Sequence, residues 1–315
     1  MNNTPDNISP DGTAVAVKGL TRAFGKFKAV DNIDLSVARG EVFGFLGPNG
    51  AGKSTTIRML CGLLLPTAGE GTVGGFDIMR QSEEIKKNIG YMSQKFSLYD
   101  DLTIEENIDF FSGIYGVPYE KKKERMEWVL DMAGIADMRG AITRTMASGF
   151  KQRLALGCAV IHEPPIIFLD EPTSGVDPIS RRRFWNLIYD MSSRGTTVFV
   201  TTHYLDEAEY CDRLALIYRG KIIAEGRPDV MKKEYMHREV LEVSATPLIE
   251  ALDILGRQGF DAALFGSVIH ATVDNAVSAI PRIEAALASA RVTVSHIAPI
   301  RPSLEDVFVS LIEVS

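Results

Sequence analysis

The sequence predicts two folded units, a larger α/β unit on a parallel sheet and a smaller α+β unit behind it. Three observations carry this. Unbroken apolar runs alternate with segments of helical period between Val42 and Leu216, as buried parallel strands joined by helices require. A glycine-rich loop stands between one such strand and the next helix. Composition also changes near residue 234. Residues Glu234–Ser315 hold 11 acids against 5 Arg and no Lys, a net of −6, whereas the preceding 233 residues hold 29 basic and 30 acidic groups. At roughly 100–200 residues per domain, 315 residues suit such a pair.

Residues 1–13, MNNTPDNISPDGT, are polar and lack the basic start and apolar stretch of a secretion signal. They read as a flexible leader. Ala14–Val37 alternates apolar and polar residues on either side of Phe24-Gly25-Lys26, predicting two antiparallel strands and a turn. Val42–Leu46 is a short buried strand, and Thr55–Leu65 has helical spacing. From about 95 to 157 the character is helical, and Thr103 followed by Glu106 forms a capping box. Pro165–Leu169 and Thr197–Thr201 read as buried strands around a helix at Arg182–Ser193, and Ala208–Leu216 passes from helix to strand.

Past Met231 the order is β-α-β-β-α-β. The strands are Val240–Ala245, Asp261–Phe265, Val268–Val273 and Val292–Ile297; the helices are Leu248–Gln258 and Val277–Leu287. That is the ferredoxin-like split arrangement. Asn275 and Pro281 leave the start of the second helix open. A last helix starts at Arg301–Phe308, with Ser303 as cap and Glu305 and Asp306 in its first turn.

Composition excludes several classes. A net charge of −7 argues against a nucleic-acid partner, because neutralising phosphates calls for a basic excess. No apolar run reaches the 18 residues of a membrane span. Cys61, Cys158 and Cys211 lie far apart without CxxC spacing and read as buried free thiols. Lys121-Lys122-Lys123 and Arg181-Arg182-Arg183 read as solvated helix faces. Half or more of Phe96, Tyr99, Phe110, Phe111 and Tyr115 is expected in the core, the remainder on a docking groove.

The chemistry begins at Gly47-Pro48-Asn49-Gly50-Ala51-Gly52-Lys53-Ser54, which fits G-x-x-x-x-G-K-[ST]. Glycines let backbone N–H groups wrap a phosphate. Lys53 supplies a cation to the β- and γ-phosphates, Ser54 a hydroxyl to Mg²⁺, and the following helix, through Thr55, the positive end of its dipole. Downstream, Ile166-Ile167-Phe168-Leu169-Asp170-Glu171 ends a buried strand in two acids. Asp170 is placed to hold Mg²⁺, and Glu171 to orient and deprotonate an attacking water. Paired acids of this kind suggest hydrolysis rather than transfer to an organic acceptor.

With these motifs the chain resembles, over roughly residues 14–233, the nucleotide-binding subunit of ABC transporters, a P-loop NTPase core with antiparallel β and helical subdomains. The resemblance implies further roles. Gln94 looks like the Q-loop glutamine, which senses Mg²⁺ and meets the permease. Ser174-Gly175-Val176-Asp177 resembles the D-loop facing the opposing subunit. His203 resembles the switch histidine at the γ-phosphate, and Phe24 the aromatic that stacks on adenine. The family's signature, Leu-Ser-Gly-Gly-Gln before Lys-Gln-Arg, stands here as Met146-Ala147-Ser148-Gly149-Phe150 before Lys151-Gln152-Arg153. Either the hydroxyl reaching ATP across the dimer is missing at Ala147, or Ser148 supplies it after a one-residue shift. The second alternative is slightly favoured, with Gly149 and Asp177 beside it in trans.

Each motif occurs once, so the resemblance implies a homodimer with two ATP sites. The tail at Arg301–Phe308 resembles that of ATPases serving ABC-2 type exporters, including the drug-resistance branch. The expectation is an ATP- and Mg²⁺-dependent ATPase, cytoplasmic and peripheral on the inner membrane face through a separately encoded permease. Its alternatives are a soluble ABC-type ATPase acting on ribosomes or DNA, and a P-loop kinase. The cargo is chosen by the permease.

Overall fold

The computed structural model describes residues 12–94, 98–235 and 238–313. Most of the expected leader and Phe96 lie outside these residues. The chain divides into two compact units, Met1–Pro228 and Asp229–Ser315.

In the first unit, β1 (Thr13–Phe24) and β2 (Phe27–Ala38) pair antiparallel as their alternation predicts. After β3 (Val42–Leu46) comes α1 (Lys53–Leu60), then β4 (Ala68–Val73), β5 (Phe76–Asp77), α2 (Ser82–Lys87) and β6 (Ile89–Met92). α1 is shorter than its apolar spacing suggests, because Gly62 turns to φ +67° just beyond it. The order β2-β1-β4-β5 forms an antiparallel sheet. β4, Ala-Gly-Glu-Gly-Thr-Val, carries no alternating signal that would reveal it.

Next come α3 (Ile104–Ile114), α4 (Tyr119–Ala133) and α5 (Ser148–Ala159), the helical part of the unit. The Thr103–Glu106 capping box is formed at the start of α3. These helices bury Ile104, Ile108, Val129, Leu130, Leu154 and Leu156 in one core. Then follow β7 (Ile166–Asp170), α6 (Pro178–Ser193), β8 (Thr197–Thr202), β9 (Arg213–Tyr218) and β10 (Lys221–Gly226). The second sheet runs β10-β9-β3-β8-β7-β6, parallel except for β10. β3, β7 and β8 are buried along their whole length and stand side by side. Their carboxyl ends therefore deliver the glycine loop, Asp170 and His203 to one edge of the sheet.

A further helix, α7 (Pro228–Glu234), crosses the composition change, since Lys232 and Lys233 sit in its last turn. The division at residue 228 consequently precedes the loss of lysine. The second unit contains β11 (Glu239–Thr246), α8 (Leu248–Arg257), β12 (Asp261–Phe265), β13 (Val268–Val273), α9 (Ala276–Ser289), β14 (Thr293–Ile300) and α10 (Leu304–Glu313). Its sheet order, β12-β13-β11-β14, is the ferredoxin-like one, antiparallel throughout. Leu241, Val243, Ile269, Ile283 and Leu287 form its core. α9 starts at Ala276 on the Asn275 cap and continues through Pro281. The carbonyl that Pro281 leaves unbonded four residues back is that of exposed Val277. Ser303 caps α10 reciprocally: its Oγ accepts from Asp306 N–H, while Asp306 Oδ2 accepts from Ser303 N–H at 2.7 Å.

Candidate active site

The loop between β3 and α1 is folded by its own backbone and by glycine. Ala51 N–H donates to Pro48 O at 3.1 Å. Gly52 has φ +114°, and a Cβ there would stand 2.5 Å from Ala29 O, so no larger residue fits this turn. α1 has no side-chain N-cap bond, which leaves its first N–H groups directed at the loop. Gly47 and Ala51 are buried, while Asn49 and Gly50 are exposed at the loop tip and Pro48 and Thr55 are half-buried. Lys53, itself buried, donates from Nζ to Gly47 O at 2.7 Å and lies 3.1 Å from Glu171 Oε1.

Asp170 is 1% exposed. Its Oδ1 accepts from Ser54 Oγ at 3.0 Å and from Thr201 Oγ1 at 2.8 Å. Burial pushes its carboxyl pKa up; the hydrogen bonds from Thr201 and Ser54 oppose this, and the neighbouring Glu171 charge adds to it. Oδ2 is buried without a hydrogen-bond partner. An unmatched carboxylate oxygen beside a serine hydroxyl suits a hard divalent cation such as Mg²⁺.

Glu171 collects the remaining groups. Its Oε2 accepts from Gln94 Nε2 at 3.0 Å and lies 3.1 Å from His203 Nδ1. An ionised carboxylate only accepts, so Nδ1 carries the proton in this pairing. The Glu171 backbone is left-handed, at φ +49°, a strained setting for a non-glycine residue. Its N–H is held by Thr201 through both the carbonyl at 3.1 Å and Oγ1 at 3.0 Å.

Six expected residues thus meet: Lys53, Ser54, Gln94, Asp170, Glu171 and His203. Gln94 bonds to the base candidate rather than to the Asp170–Ser54 pair. Ser148, Gly149 and Asp177 take no part in this cluster. Ala147 is the N-cap of α5 without a side-chain bond, and exposed Ser148 is the first helical residue. A Cβ on Gly149 would stand 2.5 Å from Ser180 Oγ, so α5 and α6 approach closely there. Asp177 caps α6, accepting from Ile179 and Ser180 N–H at 3.0 and 2.9 Å, and these bonds lower its pKa. Phe24 is half exposed, with the Arg22 guanidinium 4.6 Å from its ring centre.

Sequence reasoning missed Thr201, which fixes both acids. Its only sign was a polar residue ending the buried run Thr-Val-Phe-Val-Thr-Thr. Arg181 also departs from the expected solvated triplet. Its side chain is 19% exposed and meets Asp206 and buried Glu207.

A glycine loop at a helix start, with two strand-end acids and a histidine closing on it, defines a P-loop nucleotide-hydrolase site. The family model described as ABC transporter matches residues 30–174, and one described as AAA domain, putative AbiEii toxin, matches residues 144–205. A daunorubicin resistance ATP-binding protein of Streptomyces coeruleorubidus is 35% identical over 95% of this chain and 96% of its own length. A probable multidrug ABC transporter ATP-binding protein of Escherichia coli is 51% identical over 73% of this chain, which spans 40% of that protein's length. Among solved structures, the ATP-binding subunit of an ABC transporter superposes with TM-score 0.65 at 28% identity, covering 71% of this chain and 93% of that one. A dimeric ATP-binding cassette in a post-hydrolysis state with ADP and phosphate gives TM-score 0.62 at 27% identity, over 68% and 98%. The chain belongs to the ABC transporter ATP-binding family.

Proposed function

We propose that this chain hydrolyses ATP to drive a separately encoded ABC-2 type exporter. The observation that carries the reading is the Glu171 carboxylate, within 3.1 Å of Lys53, Gln94 and His203 and one residue from the Asp170–Ser54 pair. Glu171 orients an attacking water and accepts its proton. Lys53 and the backbone N–H groups of the Gly47–Thr55 loop, in which Pro48 has none to give, hold the β- and γ-phosphates, His203 meets the γ-phosphate, and Phe24 offers its ring face to adenine. Mg²⁺ would be held by Ser54 and Asp170, and by Gln94 once it turns from Glu171, and would supply charge neutralisation.

ATP closes two copies, each offering Ser148, Gly149 and Asp177 to the nucleotide of the other. No helix among the described residues is long and apolar enough to cross a membrane, and the chain meets the inner membrane face through its permease. Tyr99 and Phe110, edge to face at 4.6 Å and both exposed, lie after Gln94 and present an apolar face suited to that partner. The names of the relatives, which refer to drug resistance and multidrug transport, support export.

Isolation of tagged chain from native membranes tests this. A co-purifying multi-spanning protein that stimulates Mg²⁺-dependent ATPase activity is expected. Recovery with ribosomal proteins or DNA alone contradicts it.

A further inference from the structure

Two stretches of the first unit, at Thr173 and Arg181, converge on the buried carboxylate of a third, at Glu207. Glu207 is fully buried and accepts from Thr173 Oγ1 at 2.5 Å. Arg181, in the first turn of α6, places Nε 3.3 Å from Glu207 Oε1 and Nη1 3.2 Å from Asp206 Oδ2. The same guanidinium covers the Tyr204 ring at 4.3 Å, and that ring lies 4.1 Å from the His203 ring. Glu207 N–H closes the turn by donating to Tyr204 O at 3.2 Å. On the other side, Thr173 opens the turn that runs to Asp177, with Val176 N–H donating to its carbonyl at 3.1 Å. Both contacts fall on Oε1, while Oε2 is buried without a hydrogen-bond partner; a carboxylate withdrawn from water is costly, so the geometry of Glu207 depends on these two partners.

Glu207 stands outside the cluster around Glu171. What it fixes is the turn that carries His203. We propose that Glu207 is a positioning residue for hydrolysis: with Thr173 and Arg181 it holds Tyr204, and through Tyr204 the direction in which His203 faces Glu171. The segment from Thr173 to Asp177 is tied to His203 by the same carboxylate, so displacement of that segment against a second copy reaches the histidine. The inference rests on the proposed function, in which His203 meets the γ-phosphate.

A double-mutant cycle on the full chain tests it. Hydrolysis is read in single turnovers with protein in excess, and ATP affinity separately with a fluorescent ATP analogue. Glu207→Ala is expected to slow hydrolysis about tenfold or more while affinity moves less than about twofold. In the His203→Ala background the same change adds no further loss. Thr173→Val, close to threonine in shape, gives the same pattern and carries the test if Glu207→Ala does not fold. Rates of a folded variant within about twofold of the parent, or losses that multiply with that of His203→Ala, overturn the proposal. A parent chain that fails to hydrolyse ATP with Mg²⁺ instead removes the proposed function, and this inference with it.

Discussion

At Asp170 the requirements of folding and of cation binding oppose each other. The residue is buried with one oxygen unmatched, and burial raises its pKa. A raised acid stabilises the fold fully only below the pH where an unfolded aspartate titrates, roughly 4, and that contribution is lost as pH rises through the higher folded value. Asp170→Asn is therefore expected to raise the melting temperature of the nucleotide-free protein at pH 7, by about 2 °C or more, while abolishing the further rise on adding Mg²⁺ and ATP. A melting temperature that falls, or that still responds to Mg²⁺ and ATP, contradicts this. Lys53, Ser54, Asp170 and Glu171 were legible because their chemistry is written in short contiguous motifs. Thr201 was not. It acts across the sheet from β8, and nothing in its neighbours announces that its hydroxyl holds both acids. Arg181 misled for the complementary reason: a run of three arginines looks solvated until Glu207 is placed beside it.

The element that decides how a second copy contributes is α5. Its start at Ser148, with Ala147 as cap, leaves the Ser148 hydroxyl exposed one residue inside the helix. A hydrogen bond to a charged phosphate is worth about 1.5–3 kcal/mol. If Ser148 makes it across the dimer, Ser148→Ala lowers the steady-state ATPase rate about tenfold, and an unchanged rate rejects that role. Ala147→Ser supplies the missing side-chain cap and is expected to stabilise the protein by about 0.5–2 kcal/mol in thermal or denaturant unfolding. Elements differed in how plainly the sequence showed them. β3, β7 and β8 are unbroken apolar runs and were read within a residue or two at each end. β5 has two residues, β6 has four, and β4 is glycine-rich and polar, so their places come from tertiary pairing rather than local pattern.

For the whole molecule, the net charge of −7 conceals two different units. The nucleotide-binding unit is nearly neutral, while the lysine-poor β-α-β-β-α-β unit carries most of the net negative charge. Hydrophobic period and composition change near residue 234, a few residues beyond the division after Pro228. What the single chain cannot express in its own contacts is closure, since Ser148, Gly149 and Asp177 lie apart from the cluster they are proposed to complete in a second copy. The central measurement is the association state and turnover of Glu171→Gln with ATP and Mg²⁺, followed by size-exclusion chromatography coupled to light scattering and by phosphate release. Gln keeps the shape of the side chain but cannot take a proton from water. A stable ATP-bound dimer is expected, with hydrolysis reduced at least about a hundredfold, within the range that loss of a general base removes. Multiple turnovers at the parent rate, or a chain that stays monomeric with ATP bound, would contradict it.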